Sequence, residues 1–84
     1  MIDVLFFGPV AERVGARQID MAFHPGLRWQ DVRDELRTRY PEAFKLVSIV
    51  AVNGKRVSEQ DEQDKHGSLA DGSEVVFMSA FSGG

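Results

Sequence analysis

The chain contains no cysteine, only two histidines, one tryptophan and one tyrosine, and fewer basic than acidic side chains. Each shortage excludes something. Without cysteine there is no disulfide framework, no thiolate metal site and no nucleophilic thiol, so any sulfur chemistry must use sulfur supplied by another molecule. His24 and His66 stand far apart with no third ligand at a recognisable spacing, which predicts no metal site. A net charge of −3 and a pI near 5.2 disfavour nonspecific attraction to nucleic acid or anionic lipid and favour basic partners. The first residues, Met1-Ile2-Asp3-Val4-Leu5-Phe6-Phe7, carry an acid where a signal peptide needs a basic flank. Their apolar run is also too short to span a bilayer. The expectation is a protein of the cytosol that engages neither membrane nor nucleic acid.

What remains is enough for one small domain. Hydrophobic residues make up 43% and charged residues 27% of 84 positions, values of an ordinary globular chain. No repeat, low-complexity stretch or linker divides it. The expected organisation is a single domain over residues 1–84, with 79–84 as a flexible C-terminal tail.

Ile2 to Phe7 is rich in branched and aromatic residues and is stopped by Gly8-Pro9, as a strand would be. Val10 to Val14 reads as a helical turn closed by Gly15. Arg17 to Phe23 alternates Ile19, Met21 and Phe23 against Gln18, Asp20 and Ala22, the period of a half-buried strand. Trp29, Val32, Leu36 and Tyr40 recur at helical spacing, with Gln30, Asp31, Arg33, Asp34, Glu35 and Arg37 assigned to the opposite, wet face. No Ser, Thr or Asp cap marks the start of this helix; Pro41 marks its end. Ile49 to Val52 and Lys55 to Val57 flank Asn53-Gly54, a pair suited to a tight hairpin turn. Ser58 to Ala70 reads as polar loop, in which Glu59, Asp61, Glu62 and Asp64 are most simply solvated. A last strand runs from Glu74 to Ala80. The order ββαβββ predicts an α+β fold, a mixed sheet of four to five strands packed on one main helix.

One helix covers one face of a sheet. If Ile2, Val4 and Phe6 face it, Leu5 and Phe7 face away, and Val75 and Phe77 are divided in the same way from Val76 and Met78. Leu5, Phe7, Val76 and Met78 would then form an apolar patch suited to a partner, if the two strands are neighbours. The alternative is cover from within, by Lys45 to Val47 or by the long loop.

The chain ends in Gly83-Gly84, an ending that composition alone gives about once in 200 chains. Two residues without side chains make a thin end that can enter a narrow channel and carry a main-chain carboxylate to another protein's catalytic groups. From Ser79 onward an extended tail reaches about 20 Å. A carboxylate is a poor electrophile until activated, so such an end implies an activating partner.

Val4-Leu5-Phe6-Phe7, the Val10 to Gly15 turn, Ala51-Val52-Asn53-Gly54, Leu69-Ala70-Asp71-Gly72-Ser73-Glu74-Val75 and Ser82-Gly83-Gly84, taken in order, resemble the MoaD/ThiS sulfur-carrier family, in particular the branch of the small subunit of molybdopterin synthase. The resemblance spans nearly the whole chain and is weakest between Gly26 and Ser48. It implies the β-grasp fold of ubiquitin and a protein that is no enzyme by itself but the sulfur-donating small subunit of a transferase complex. It further implies that an E1-like adenylyltransferase uses ATP to adenylate the Gly84 carboxylate. A sulfur donor such as a persulfide protein then leaves a thiocarboxylate there. The large subunit of molybdopterin synthase (MoaE-like) would receive the tail, and sulfur would pass to a pyranopterin precursor in molybdenum cofactor biosynthesis. No cofactor or metal would be bound by the chain. Gly84 carries the reacting carboxyl, Gly83 is its slim neighbour, and Phe7, Val76, Met78, Phe81 and Ser82 are the expected docking contacts.

The two prolines that often precede the last four residues in the molybdopterin branch are Ser79 and Ala80 here. The tail also resembles those of relatives serving RNA thiolation, thiamine-type or other sulfur pathways. The same Gly-Gly serves a ubiquitin-like modifier joined to lysines, and a plain interaction module with an idle tail is a third reading.

Overall fold

A computed structural model describes residues 1–58 and 68–80. The loop residues Glu59, Asp61, Glu62, Asp64 and His66 and the terminal residues Phe81, Ser82, Gly83 and Gly84 lie outside them.

β1 (Ile2–Phe6) ends where Gly8, at φ 60°, turns the chain and Pro9 starts α1 (Pro9–Val14). Proline suits a first helical position because its missing N–H would have no helical partner there. α1 closes as expected: Gly15 adopts φ 86° and its N–H donates to the Ala11 carbonyl at 2.8 Å. β2 (Gln18–Met21) returns antiparallel to β1, shorter than the alternating stretch from Arg17 to Phe23.

α2 (Trp29–Arg39) begins at Arg28, whose extended backbone N–H donates to the Asp31 carboxylate at 2.9 Å. Half of a capping box therefore starts this helix, supplied by an acid in its first turn rather than by a residue before it. Pro41 does more than end α2. It occupies the first position of a short α3 (Pro41–Phe44), an element absent from the sequence-based reading, and buries Ala43 and Phe44.

β3 (Ile49–Val52) and β4 (Lys55–Val57) flank a turn in which Asn53 and Gly54 both take positive φ, 50° and 84°, as expected for a two-residue hairpin. β5 (Glu74–Met78) stops two residues earlier than the predicted strand.

The sheet order is β2-β1-β5-β3-β4, with β1 and β5 parallel at the centre and the other pairs antiparallel. Ile2, Val4, Phe6, Val75, Phe77, Val50 and Val52 line the inner face under α2 and α3, joined by Val10 from α1. Phe6, Phe44 and Phe77 meet at one end, with ring centroids 5.0 to 6.4 Å apart. Trp29 is core, as expected.

Two assignments to the wet face of α2 are corrected. Gln30 is buried, because it stands beside Trp29 at the margin of the apolar stripe. Arg33 lays its guanidinium 5.2 Å from the Trp29 ring centroid and leaves only 13% of its side chain exposed. Arg37 and Arg39 are exposed and pair with Asp34 and Glu35, one turn back.

Candidate functional site

Register decides the outer face. Gln18 lies opposite Leu5, Leu5 beside Val76, Val76 opposite Ala51, and Ala51 opposite Arg56, so these five share one side of the sheet. Met78 lies opposite Ile49 on the same side, and the Phe7 N–H donates to the Phe77 carbonyl at 3.3 Å, extending the β1–β5 ladder by one step. Leu5, Phe7, Val76 and Met78 do come together, as the sequence predicts for neighbouring strands. Ile49 and Ala51 extend the stripe. Neither was among the expected contacts, although the alternation of Ile49 and Ala51 with Val50 and Val52 carries the signal.

The patch is not uniformly open. Phe7 is 51% exposed, Leu5 and Met78 are half-buried, and Val76 is only 7% exposed. Val76 sits on a central strand, flanked by Leu5 on one side and Ala51 on the other, and neighbours on a pleated sheet shield one another. The expectation that Val76 presents an open surface is therefore corrected: it is the floor of the patch, and Phe7 is its accessible contact. A groove of about 880 Å³ runs beside Phe7 between β1, α1 and β2, with Pro9, Glu12 and Arg17 on its walls.

Lys45 to Val47 does not fold over this face. Leu46 and Val47 pack against the inner core, on the same side as α3.

The outer face has a direction. Its apolar side chains lie toward the end where β5 leaves the sheet. At the other end Asp3 stands between Asp20 and Glu74 on the adjoining strands. Carboxylates side by side repel, and together they make that end attractive to basic groups. Among the described residues no set of acids and histidines is arranged to hold a metal ion. His24 is an exposed loop residue whose Nδ1 lies 3.1 Å from the Pro25 carbonyl.

Gly83-Gly84 follows β5 in the chain. This strand is central, bonded to β1 on one side and β3 on the other, so the segment leading to Gly84 emerges from the most constrained strand of the sheet. Its exit is held by Ser48, which accepts the Ala80 N–H at 2.7 Å through its hydroxyl oxygen. Of the expected site residues, Phe7, Val76 and Met78 are thus placed on one face near this exit, while Phe81, Ser82, Gly83 and Gly84 lie outside the described residues.

A mixed five-strand sheet with parallel central strands, crossed by one main helix, with Gly83-Gly84 following its middle strand in the sequence, defines a β-grasp, ubiquitin-like domain. The model of the ThiS family matches residues 4–84, and the chain belongs to that family. No curated protein matches it by sequence.

Solved structures similar to it include a candidate molybdopterin converting factor, subunit 1, from Pyrococcus furiosus, with TM-score 0.74 and 21% identity over 95% of this chain and 97% of that one. Small archaeal modifier protein 1 of Haloferax volcanii aligns with TM-score 0.74 and 20% identity over 99% of this chain and 98% of that one. Its counterpart from Methanosarcina acetivorans aligns with TM-score 0.70 and 18% identity over 99% and 95%. At these identities the likeness is one of fold. Among the described residues no helix is long and apolar enough to cross a membrane.

Proposed function

We propose that this protein is a sulfur carrier acting as the small subunit of molybdopterin synthase in the cytosol, with the Gly84 carboxyl as the group that carries sulfur. The observation that carries the reading is the match to the ThiS family through the terminal glycines, in a chain without cysteine. An E1-like adenylyltransferase joins the Gly84 carboxylate to the α-phosphorus of ATP and releases pyrophosphate. The outer sulfur of a persulfide donor then attacks the acyl-adenylate and displaces AMP to form an acyl disulfide. A reducing thiol cleaves its S–S bond, forming a disulfide with the donor sulfur and leaving a thiocarboxylate, a nucleophile that no side chain of this protein supplies. The large synthase subunit receives the tail, and sulfur passes to the pyranopterin precursor.

The outer face supports docking in this scheme. Phe7, with Met78 beside it and Val76 beneath, offers an apolar contact near the exit of the tail, and Phe81 and Ser82, next in the sequence, are the further docking contacts in this reading. The carboxylates of Asp3, Asp20 and Glu74 favour a basic surface at the far end and so orient the partner.

Intact-mass measurement after incubation with ATP, an adenylating enzyme and a sulfur donor tests the reading. The expected result is replacement of one oxygen by sulfur at Gly84; no such gain with any of several adenylating enzymes would overturn it. The structural likeness to small archaeal modifier proteins favours a second reading, a modifier joined to lysine side chains through the same carboxyl. Isopeptide-linked species of higher mass in cells distinguish it. A carrier for RNA thiolation or a thiamine-type pathway would form the same thiocarboxylate but fail to convert pyranopterin with the large subunit.

A further inference from the structure

The chain beyond β5 is held by a contact that does not repeat the main-chain ladder. β3 and β5 pair in antiparallel register as far as Ile49 opposite Met78. Ser48, immediately before β3, then makes two bonds to the departing chain. Its main-chain N–H donates to the Met78 carbonyl at 3.0 Å, and its hydroxyl oxygen accepts the Ala80 N–H at 2.7 Å. One residue thus grips the chain on both sides of Ser79, and the side chain stands in for the carbonyl that a continued ladder would use. Ser48 is exposed and fills no place in the core. Its contact with Ala80 spans 32 positions of sequence, so it is a tertiary bond rather than part of a local turn.

We propose that Ser48 is a positioning residue for the carrier tail, fixing where and in which direction the chain leaves the sheet. This rests on the reading of Gly84 as the group delivered to a partner. With the root held at Ala80, the four remaining residues reach at most about 14 Å. Released from Met78 onward, six residues reach about 20 Å and the terminal carboxyl searches a larger volume. While the outer face is docked, restricting that volume raises the effective concentration of the carboxyl in the partner's channel. It also lowers the entropy lost when the tail is ordered there.

The test compares the unaltered chain with Ser48→Ala and Ser48→Thr. Amide exchange at Ala80 reports the bond directly, and adenylation of Gly84 by the adenylating enzyme of the same organism, followed by pyrophosphate release from ATP, reports its use. Ser48→Ala is expected to speed Ala80 exchange and raise the KM for the carrier by about threefold to tenfold, the effect of losing one hydrogen bond. Because the tail is ordered in the bound complex as well as in the transition state, kcat stays unchanged. Ser48→Thr keeps the hydroxyl and restores both values.

A KM equal to that of the unaltered chain, or Ala80 exchange unaffected by Ser48→Ala, would overturn the role. So would a loss of kcat that follows a fall in melting temperature with KM unchanged, which assigns Ser48 to fold stability alone. If the unaltered chain is not adenylated at all, the carrier reading fails and the role fails with it, an outcome separate from those that remove Ser48 only.

Discussion

At the scale of single residues, neighbours in sequence have opposite tasks. Phe6 points inward, is 1% exposed and stacks on Phe77, whereas Phe7 points outward and is 51% exposed. Phe6→Ala should cost about 3–5 kcal/mol, as the loss of a buried aromatic does, and urea denaturation should show a much lower midpoint. Phe7→Ala should change stability by no more than about 0.5 kcal/mol yet weaken docking, measured as a raised KM for the carrier in adenylation. Gln30 presents the opposite case, a polar side chain in a place that suits an apolar one. It is 7% exposed, and neither its Nε2 nor its Oε1 has a hydrogen-bond partner. Burying an unsatisfied polar group costs about 1–3 kcal/mol. Gln30→Met keeps the length and removes both orphan atoms, so it should stabilise the domain by about 1 kcal/mol and raise the melting temperature by about 4–8 °C. An unchanged or lower melting temperature in a thermal scan would show that the amide has a partner in solution.

At the scale of elements, the β3–β4 turn illustrates how a local signal conceals a distant role. Asn53-Gly54 identifies a hairpin because both residues tolerate positive φ. Asn53 also reaches across to β5. Its Oδ1 accepts the Glu74 N–H at 2.9 Å, and its Nδ2 donates to the Ser73 hydroxyl at 3.3 Å. That hydroxyl in turn accepts the Ala70 N–H at 2.9 Å. The turn therefore fastens the start of the central strand. Asn53→Gly should preserve the turn but lose about 1 kcal/mol through these bonds. Asn53→Ala should lose about 2 kcal/mol, because it adds the cost of a left-handed backbone. Equal losses in equilibrium unfolding would mean that only the turn matters. α3 shows a similar double meaning: proline reads as a terminator, yet the same fixed φ suits the first turn of another helix. Pro41 does both, and so brings Phe44 onto Phe6 and Phe77.

At the scale of the whole molecule, the core and the proposed working parts occupy different regions. The core side chains lie between the inner sheet face and the helices, Leu5, Phe7 and Met78 on the outer face stand outside that cluster, and a glycine has no side chain to add to it. Deleting Gly84 should therefore leave the melting temperature unchanged and abolish the gain of sulfur seen by intact mass. A deletion that both unfolds the domain and abolishes the reaction would contradict this division.

Local rules made much of the architecture legible. The alternation in β1 and β2, the apolar spacing of Trp29, Val32 and Leu36, Gly15 after α1 and Asn53-Gly54 between strands all act within a few residues, where steric preference and periodicity are decisive. The terminal glycines are legible for the same reason, being a property of composition and place. The burial of Gln30 was hidden because its position lies at the margin of a helical stripe, where the width of the covering sheet decides the outcome. The shielding of Val76 and the grip of Ser48 on Ala80 were hidden because both depend on which strands are neighbours. The sequence by itself determined the five strands and the main helix, but not α3, and placed two glycines after the last strand. Only the tertiary structure decided that β1 lies parallel to β5 and that β3 flanks β5 on the other side, since pairing between distant segments is selected by the packing of the whole core and no local preference encodes it.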